Sequence, residues 1–456
     1  MKGAASYGTP VAVRSGEYSH MKKLMILGAG IYQVPLIRRA KELGYYTAAV
    51  SIPGNYPGFA EADETVFCNT RDREGVFAAA RERGIDGICT TGTDVAVPAI
   101  AYTAAKLGLP GISEQAAACV SNKLKIREAL AGTEFAIPFQ KIRSAAEGQV
   151  FFAENGGDVV VKAVDSSGSR GITRVTDAGK MEEAVRDAFE ATQQDYVLIE
   201  QFIPGEEIGV DGFVQEHQAV MCIPHRKFVI RSGPVTIPLG HAVPLDVSAD
   251  MLEKIEEMVR VTVRATGIDA CAFNMDVMLY QNRVYVLEIG GRAGGTCIPE
   301  VISGGYDFDY YETIIDAAVG NPIRPPACMQ TAHCDPSPLQ TRKDLDRADD
   351  VRPETCGQVP CFDDVRPCMA KLLFSPVDGI ITAVRKESLA PLGEAGAAYQ
   401  LDYAPGDAVT AVKNGTDRLG HLICRTGDET TLDQLLARMY EAVEVDGLPL
   451  SAHWIP

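Results

Sequence analysis

The stretch that decides the fold is Val284-Tyr-Val-Leu-Glu-Ile-Gly-Gly-Arg292, and the earlier run Phe273-Asn-Met-Asp-Val-Met278 shares its pattern. Each run sets an acidic residue, Glu288 or Asp276, inside an apolar frame. The pair Gln281-Asn282 between the runs is typical of a tight hairpin turn. The two runs therefore predict adjacent strands with the two carboxylates close to each other across the ladder.

Two carboxylates held this close repel each other unless a cation lies between them. Mg²⁺ is the natural candidate, with Mn²⁺ as an alternative, because Mg²⁺ accepts one or two carboxylates together with substrate phosphates. Arg292 follows Glu288 within the glycine-rich segment 290–295, where a guanidinium group can approach an anion. An ordinary hairpin with surface acids is the alternative interpretation, and the apolar flanks disfavour it.

A lysine and a glycine- and serine-rich loop lie upstream of this hairpin. Lys162 ends the apolar run Asp158-Val-Val-Val-Lys162, and the loop over 165–171 follows three residues later. A lysine on a buried strand is costly unless an anion meets it, and loop N–H groups can wrap phosphate oxygens. Either feature alone fits an edge strand beside a solvent loop. Together they favour a phosphate site.

From Met21 to about Gly111, apolar strands alternate with helices, which predicts a parallel Rossmann-like domain. Gly28-Ala-Gly30 follows the first strand, but Gln33 stands where a third glycine belongs in a dinucleotide fingerprint. The second strand is not followed by an acidic residue that could bind a ribose. A tight turn explains the glycines equally well, so a dehydrogenase is disfavoured.

Further elements are predicted along the rest of the chain. Residues 112–145 are predicted to be helical, with Ser121 as the N-cap of a helix over Lys123–Ala131. Short strands and turns are predicted from Ile208 to about Leu239, and a long helix over Met251–Thr266.

Composition excludes several classes of protein. The 456 residues include 43 Lys and Arg against 61 Asp and Glu, a net charge of -18. Such a surface repels polyphosphate backbones, which disfavours a general nucleic-acid binder. We find no apolar run long enough for a membrane span. Residues 1–20 have no apolar signal region and are expected to be a leader, an alternative start or an expression remnant. The 12 scattered cysteines indicate reduced thiols and a cytoplasmic location.

Three other features leave alternatives open. The basic cluster His225-Arg-Lys227 fits either an anion contact or a solvated turn, and His241 and Arg260 are undecided in the same way. Residues 326–366 are predicted to be a linker or surface excursion. Structural zinc is disfavoured there because no Cys-x-x-Cys pair occurs among the five cysteines and one histidine at Cys328, His333, Cys334, Cys356, Cys361 and Cys368.

Five motifs occur in an order that resembles the ATP-grasp superfamily of carboxylate–amine and carboxylate–thiol ligases. They are Ser121-Asn-Lys123, Val159-Val-Val-Lys162 with its loop, Ile199-Glu-Gln-Phe-Ile-Pro-Gly-Glu-Glu207, Asp276, and Leu287-Glu-Ile-Gly-Gly-Arg292. The C-terminal part is similar to the closing domain of bacterial L-amino-acid ligases. That likeness lies in Phe374-Ser-Pro-Val-Asp-Gly-Ile-Ile381, Gly406-Asp-Ala-Val409 and Arg418-Leu-Gly-His-Leu-Ile423.

The resemblance implies an α/β and α+β multidomain fold. After residues 1–20 it places a Rossmann-like domain at 21–112 and a two-lobed ATP-grasp domain at 113–325, whose small lobe spans about 145–203. The linker at 326–366 then leads to a small β-rich domain at 367–456.

The resemblance also implies roles for individual residues. Lys123 and Lys162 would neutralise nucleotide phosphates, and a mobile flap would cover them, formed by Ser166, Ser167, Gly168, Ser169 and Gly171. The hinge with Glu200, Phe202 and Ile203 would read adenine through its backbone, and Glu207 would bind the ribose. Asp276 and Glu288 would hold Mg²⁺, while Arg292 and Lys162 would be catalytic. The chain departs from the family pattern at Gly290, where an asparagine is usual.

The implied function is an ATP-dependent ligase. It would activate a carboxylic acid, expected to be an amino acid, as an acyl phosphate and condense it with an amine. The alternatives are a bicarbonate-activating carboxylase similar to biotin carboxylase and a non-catalytic nucleotide-binding protein. The expected partners are ATP and the two small substrates, with homodimer formation possible and no nucleic acid or membrane.

Overall fold

The computed structural model describes residues 21–166, 170–232, 235–326, 365–413 and 415–453. The predicted leader, most of the predicted linker with four of its cysteines, and Ser167, Gly168 and Ser169 of the predicted flap lie outside these ranges. In the described part of the chain, no helix combines the length and apolar character needed to cross a membrane.

The N-terminal region forms a parallel four-stranded sheet in the order β3-β2-β1-β4, which confirms the predicted Rossmann-like domain. Its strands are β1 Lys23–Leu27, β2 Tyr46–Ser51, β3 Glu64–Phe67 and β4 Gly87–Cys89. Its helices are α1 Val34–Glu42, α2 Pro57–Glu61, α3 Arg73–Arg83 and α4 Val97–Leu107.

Gln33 fills the glycine-rich turn after β1. Its Oε1 accepts a hydrogen bond from the Gly30 N–H at 2.9 Å, and its Nε2 donates to the Thr91 carbonyl. Gly28 has a φ of +97°, and a Cβ there would lie 2.8 Å from the Gln33 side chain. The turn is closed by a side chain of the protein, which supports the interpretation of these glycines as turn residues.

An antiparallel sheet in the order β5-β8-β6-β7 forms a second, smaller body. The elements from this part of the chain are α5 Glu114–Val120, α6 Lys123–Leu130, β5 Phe139–Ile142, α7 Ala145–Glu154, β6 Val159–Lys162, β7 Ile172–Val175, α8 Met181–Ala191 and β8 Val197–Gln201. The prediction of helix throughout 112–145 was wrong, because β5 lies within that range. Ser121 is the C-cap of α5, and Asn122 caps α6 by accepting bonds from the N–H groups of Leu124 and Lys125.

The central sheet has eight strands in the order β13-β12-β9-β10-β11-β14-β18-β16. They are β9 Glu206–Gln215, β10 Gln218–Ser232, β11 Val235–Val243, β12 Cys271–Tyr280, β13 Arg283–Gly290, β14 Cys368–Phe374, β16 Ala398–Leu401 and β18 Arg418–Cys424. β14 pairs with β11, so strands from the C-terminal part continue the same sheet.

The prediction of short strands and turns over 208–239 was wrong, because β9 and β10 are long and continuous. Two glycines in β9 allow atoms of the neighbouring strand β10 to lie very close to the β9 backbone. A Cβ at Gly209 would lie 2.0 Å from the His225 ring, and one at Gly212 would lie 2.0 Å from the Met221 carbonyl oxygen. Glycine is therefore required there by packing.

The hairpin of β12 and β13 forms as predicted. Gln281 and Asn282 both have positive φ, +48° and +60°, the backbone that a two-residue hairpin turn of this hand requires. Asp276 is the direct cross-strand partner of Glu288. Turn chemistry and alternation thus fix the register that brings the two carboxylates together.

Helices cover both faces of the central sheet. α9 Ala249–Thr266 packs with α5 and α6 on one face, and it runs from the Ser248 N-cap to Gly267 at φ +69°. α10 Ile298–Tyr306 and α11 Tyr310–Val319 share the other face with the N-terminal domain. The C-terminal part adds β15 Gly379–Val384, α12 Lys386–Glu394, β17 Ala408–Val409, α13 Glu429–Ala442, β19 Val443–Val445, β20 Leu448–Pro449 and α14 Leu450–His453.

Candidate active site

A cleft of about 600 Å³ opens where the N-terminal domain, the small sheet, the central sheet and the C-terminal part meet. All four parts contribute to its wall. Its polar lining includes Tyr32, Asp94, Lys123, Lys162, Glu200, Glu207, His225, Lys227, His241, Asn274, Asp276, Glu288, Arg292, Thr296 and Thr416.

The predicted metal ligands lie together in the cleft, and each is paired with a lysine. Asp276 Oδ1 accepts from Lys227 Nζ at 2.7 Å, and Glu288 Oε1 accepts from Lys123 Nζ at 2.9 Å. Burial alone would raise the pKa of Asp276, but the charge and hydrogen bond of Lys227 outweigh it and hold that pKa below its ordinary value. Asp276 is therefore ionised at neutral pH and able to bind a cation.

The carboxylate pair fits Mg²⁺ bound together with a nucleotide. In the described ranges, no set of three or more His, Cys, Asp or Glu side chains forms a metal site. Mg²⁺ commonly takes one or two carboxylates and completes its octahedron with water and phosphate oxygens. Asp276 and Glu288 supply that number, so we expect the phosphates to supply the rest.

The predicted phosphate-binding lysines line the same cleft. Lys123 is buried at the start of α6, and its Nζ also donates to the Ser166 carbonyl at 2.8 Å. Lys162 pairs with the carboxylate of Glu200. The Asn122 cap sets the first turn of α6 and thereby fixes the direction of Lys123.

Glu200 is a buried counter-ion at the base of the hinge. Its side chain is 2% exposed and accepts from Arg127 Nε at 2.8 Å as well as from Lys162. Burial would raise the pKa of Glu200, but Arg127 and Lys162 lower it to about 2. Arg127 Nη2 also donates to the Leu287 carbonyl at 2.7 Å, which ties the hinge to β13. The side chain thus holds two cations in place, while adenine recognition by the backbone stays a prediction.

Loss of Arg127 is expected to destabilise the protein strongly. Arg127→Leu leaves Glu200 buried with only Lys162, and breaking a buried pair costs about 3–5 kcal/mol of the free energy of unfolding. Chemical denaturation measures this cost. Arg143→Leu is the matched control, because Arg143 and Asp195 form an exposed pair worth at most about 1 kcal/mol. Equal effects of the two variants would contradict the assigned role of Glu200.

The same counter-ion gives stability a pH dependence. Because the pKa of Glu200 falls from 4.5 to about 2 on folding, its contribution is present above pH 4.5 and is lost as the pH falls towards 2. This acid-side loss should be smaller in Glu200→Gln, and denaturation curves at successive pH values measure it. An identical pH dependence in the two proteins would contradict the assignment.

The hinge lines an apolar slot in the cleft. Phe202 and Ile203 line it with Met278 and Leu287, and the Arg174 guanidinium lies 3.6 Å from the centre of the Phe202 ring. An adenine ring could stack in such a slot. Glu207, predicted to bind the ribose, also lines the cleft and accepts from Lys227 Nζ at 2.5 Å.

Both described ends of the predicted flap are held. Ser166 is 8% exposed, and its Oγ donates to the Arg170 carbonyl at 2.7 Å. Gly171 has a φ of +64°, and a Cβ there would lie 2.5 Å from the Ala191 Cβ. Glycine is therefore required at the C-terminal end of this segment.

Arg292 is fixed in the cleft by two neighbours. Its Nη2 donates to Asp94 Oδ2 at 2.7 Å, and its Nη1 donates to Asn274 Oδ1 at 2.9 Å. Burial would lower the pKa of Arg292, but Asp94 raises it above its ordinary value, so the guanidinium stays charged. The Gly92 N–H donates to the Ala293 carbonyl at 3.0 Å, which fastens the N-terminal domain to this segment.

The glycine at position 290 has a structural cause. A Cβ there would lie 2.6 Å from Asp94 Oδ1. Asp94 thus occupies the space into which a larger residue would project. The departure from the family pattern at Gly290 therefore coincides with the position of the Asp94 carboxylate, which comes from the N-terminal domain.

The basic cluster left open by the sequence is resolved by strand alternation. His225 and Lys227 face the cleft from β10, whereas Arg226 faces the other side and donates to Glu429 at 2.8 Å. The solvated-turn interpretation is wrong. His241 also lines the cleft, while Arg260 pairs with Glu257 on α9.

The sequence did not point to three residues that line the cleft, Asp94, Asn274 and Thr296, or to the buried Asp211 behind them. They come from distant positions and become neighbours only in the fold, where Asn274 Nδ2 donates to Asp211 Oδ2 at 2.7 Å. Alternation on β12 was an available signal for Asn274, because it lies two residues from Asp276 and residues two apart on a strand share a face.

The C-terminal part closes one wall of the cleft. Tyr32 Oη donates to the Gly415 carbonyl at 2.6 Å, and the Arg418 guanidinium lies 5.1 Å from the centre of the Tyr32 ring. Arg418 is itself held by the buried carboxylate of Asp402 at 2.8 Å. Because β18 belongs to the central sheet, this wall is rigidly connected to the carboxylate pair.

Known protein families match two parts of the chain. The ATP-grasp domain family matches residues 156–300, and the family named L-amino acid ligase C-terminal domain 2 matches residues 371–446. A D-alanine–D-alanine ligase from Gloeobacter violaceus is 31% identical over 231 residues, which are 47% of this chain and 74% of that protein.

Solved structures share the fold over nearly the whole chain. An L-amino acid ligase from Bacillus licheniformis is 17% identical with a TM-score of 0.69, covering 93% of this chain and 98% of its own. The biotin carboxylase domain of a Hydrogenobacter thermophilus 2-oxoglutarate carboxylase, solved with MgADP, is 16% identical with a TM-score of 0.71, covering 93% of this chain and 91% of its own.

The relatives support an ATP-dependent ligase. The chain belongs to the ATP-grasp family of carboxylate–amine ligases. Enzymes of this family use ATP and Mg²⁺, and the lysines and carboxylates of the cleft are suited to both.

Proposed function

We propose that the protein activates the carboxylate of an amino acid as an acyl phosphate and joins it to an amine, releasing ADP and phosphate. The observation that carries this proposal is the placement of Arg292. Its guanidinium group is fixed by Asp94 and Asn274 and lines the same cleft as Asp276 and Glu288. A substrate carboxylate bound there would lie beside the predicted position of the nucleotide's terminal phosphate.

Charged side chains would position the nucleotide and the acid for the first half of the reaction. The substrate carboxylate oxygen attacks the γ-phosphorus, and the bond to ADP breaks. Lys123 and Lys162 would hold the phosphates, and Arg292 would hold the acid in line for attack. Mg²⁺ at Asp276 and Glu288 would neutralise charge on the phosphate oxygens.

Lys227 would change partners when substrates bind. In the protein alone it bridges Glu207 and Asp276, at 2.5 Å and 2.7 Å. A ribose hydroxyl at Glu207 and a cation at Asp276 would each weaken one of these contacts. Lys227 would then be available to the transferred phosphoryl group, where a cation stabilises the transition state.

Two features support an amino acid as the acid. Arg292 and Asp94 place opposite charges side by side, which suits a substrate that carries both a carboxylate and an ammonium group. The C-terminal family match covers the segment that brings Gly415 and Thr416 to the wall of the cleft. That wall would contact the substrate side chain.

Release of phosphate with ATP and Mg²⁺ tests the proposal, using single and paired amino acids and mass analysis of the products. We expect ADP and phosphate only when an acid is present, and an amide when an amine is added. Turnover with bicarbonate alone would indicate a carboxylase instead. Nucleotide binding without turnover on any acid would indicate a non-catalytic protein.

A further inference from the structure

A continuous chain of four polar side chains leads from the buried core to the wall of the cleft. Asp211 Oδ2 lies 3.1 Å from His225 Nε2, and His225 Nδ1 lies 3.2 Å from His241 Nδ1. His241 Nε2 lies 2.8 Å from Thr296 Oγ1. Asp211 is fully buried, whereas His225, His241 and Thr296 line the cleft. None of the roles predicted for the cleft residues involves these four hydrogen-bonded side chains.

Hydrogen-bonding rules fix the direction of the chain. Asp211 also accepts from the Gly294 N–H at 3.0 Å and from the Asn274 amide, so its carboxylate is the acceptor for His225 Nε2–H. In neutral rings, His225 Nδ1 then accepts from His241 Nδ1–H. His241 Nε2 is left as an acceptor, and the Thr296 hydroxyl donates to it. The hydrogen-bonded chain thus ends at the cleft in a hydroxyl that donates to an unprotonated imidazole nitrogen.

The surroundings keep His241 neutral. Burial lowers the pKa of His241 well below its ordinary value, and the neighbouring His225 and Lys227 lower it further. The other charged groups of this region are Asp211 on β9, Asp276 on β12, and Arg292 after β13. A neutral imidazole whose Nε2 accepts from the Thr296 hydroxyl is the form that can take the hydroxyl proton.

The backbone at Thr296 is held in an uncommon conformation. Thr296 has a φ of +51° and Cys297 a φ of +67°, which costs free energy for side chains that carry a Cβ. The segment is fixed on one side by Thr91 Oγ1, which donates to the Gly294 carbonyl at 2.8 Å. Such strain is common where a side chain must be aimed at a reacting group.

We propose that Thr296 and His241 take the proton that the amine must lose, with His225 and Asp211 as positioning residues. The inference rests on the proposed ligase function. An ammonium group has no lone pair, so it must lose one proton before nitrogen can attack the acyl carbon. That proton passes to Thr296 Oγ1 as the threonine hydroxyl proton passes to His241 Nε2. The C–N bond forms as the C–O bond to phosphate breaks. Phosphate leaves with the bonding electrons and takes the second proton, which the nitrogen loses as it becomes an amide.

Removal of the Thr296 hydroxyl tests the relay. In Thr296→Val we expect amide formation at about pH 7 to fall about 100-fold, the usual size of a general-base contribution. Trapping of the acyl phosphate by hydroxylamine, which is uncharged near neutral pH, should change less than about threefold because that nucleophile needs no prior deprotonation. Raising the pH to about 9, where an α-amine is uncharged, should restore most of the lost amide formation.

Two further variants sharpen the comparison. Thr296→Ser retains the hydroxyl, so its rate of amide formation should stay within about fivefold of the wild-type rate. In His225→Gln, amide formation should likewise fall much more than hydroxamate formation. The pH profile of amide formation should also move to higher pH. A purely structural role of His225 would instead lower both reactions equally at every pH.

The outcomes separate this inference from the proposed function. If Thr296→Val leaves amide formation unchanged, or lowers hydroxamate formation just as much, the relay is wrong while the ligase stands. If the unchanged protein forms no hydroxamate with any acid tested, the proposed function fails and the relay fails with it.

Discussion

Glu288→Gln is expected to lower acid-dependent ATP turnover by about 1,000-fold while leaving the fold intact. The substitution removes one negative charge from the pair with Asp276, so a divalent cation loses one of its two charged protein ligands. It also leaves Lys123 without its carboxylate partner. ADP release in a coupled assay measures the effect, and circular dichroism measures the fold.

A matched substitution separates the charge pair from a general charge effect. Glu206→Gln changes an exposed residue of β9 that does not line the cleft, so turnover should be nearly unchanged. Unchanged ADP release from Glu288→Gln would remove Glu288 from the site. Equal losses in both variants would show that net charge, and not the pair, determines turnover.

Arg292→Lys is expected to lower kcat/KM for the acid by about 100-fold to 1,000-fold. A lysine is a single point charge and cannot bond Asp94 and Asn274 at once as the guanidinium does. Steady-state kinetics with varied acid measure the loss. Binding of MgATP should change little, because the predicted nucleotide contacts are made by the lysines, the hinge and the carboxylate pair.

In Arg292→Lys, we expect kcat/KM for the acid to fall and the affinity for MgATP to stay nearly the same. Arg186→Lys on α8, where the side chain is exposed, is the control and should leave kcat/KM unchanged. An equal loss of MgATP affinity in Arg292→Lys would place the guanidinium at the nucleotide. Full activity of that variant would remove it from the mechanism.

Local patterns predicted the carboxylate pair correctly. Asp276 and Glu288 belong to one hairpin, and the turn at Gln281 and Asn282 sets their register without help from the rest of the chain. The parallel N-terminal sheet was predictable for a similar reason, since each strand and helix has its own periodic signal.

Local sequence patterns could not predict contacts between segments that are distant along the chain. Asp94 reaches Arg292 from 198 positions away, and Lys227 reaches Asp276 from 49 positions away. Neither spacing carries a periodic signal, because these contacts arise only when separate sheets pack together.

Glycine was the most misleading residue in β9. Short strands and turns were predicted over this part of the chain, yet Gly209 and Gly212 leave room for a neighbouring ring and a neighbouring strand. The long strand β10 contains no glycine, and its alternation places His225 and Lys227 in the cleft. A glycine read from sequence alone does not tell whether the backbone turns or something packs against it.

The central claim is that the carboxylate of the acid attacks the nucleotide's γ-phosphorus in a cleft formed by Lys123, Lys162, Asp276, Glu288 and Arg292. The most direct test uses an acid labelled with heavy oxygen in its carboxylate and mass analysis of the phosphate released during amide formation. We predict one labelled oxygen in each phosphate, because the acyl phosphate carries that oxygen away when the amine attacks. Phosphate without label from a reaction that still forms the amide would contradict the account.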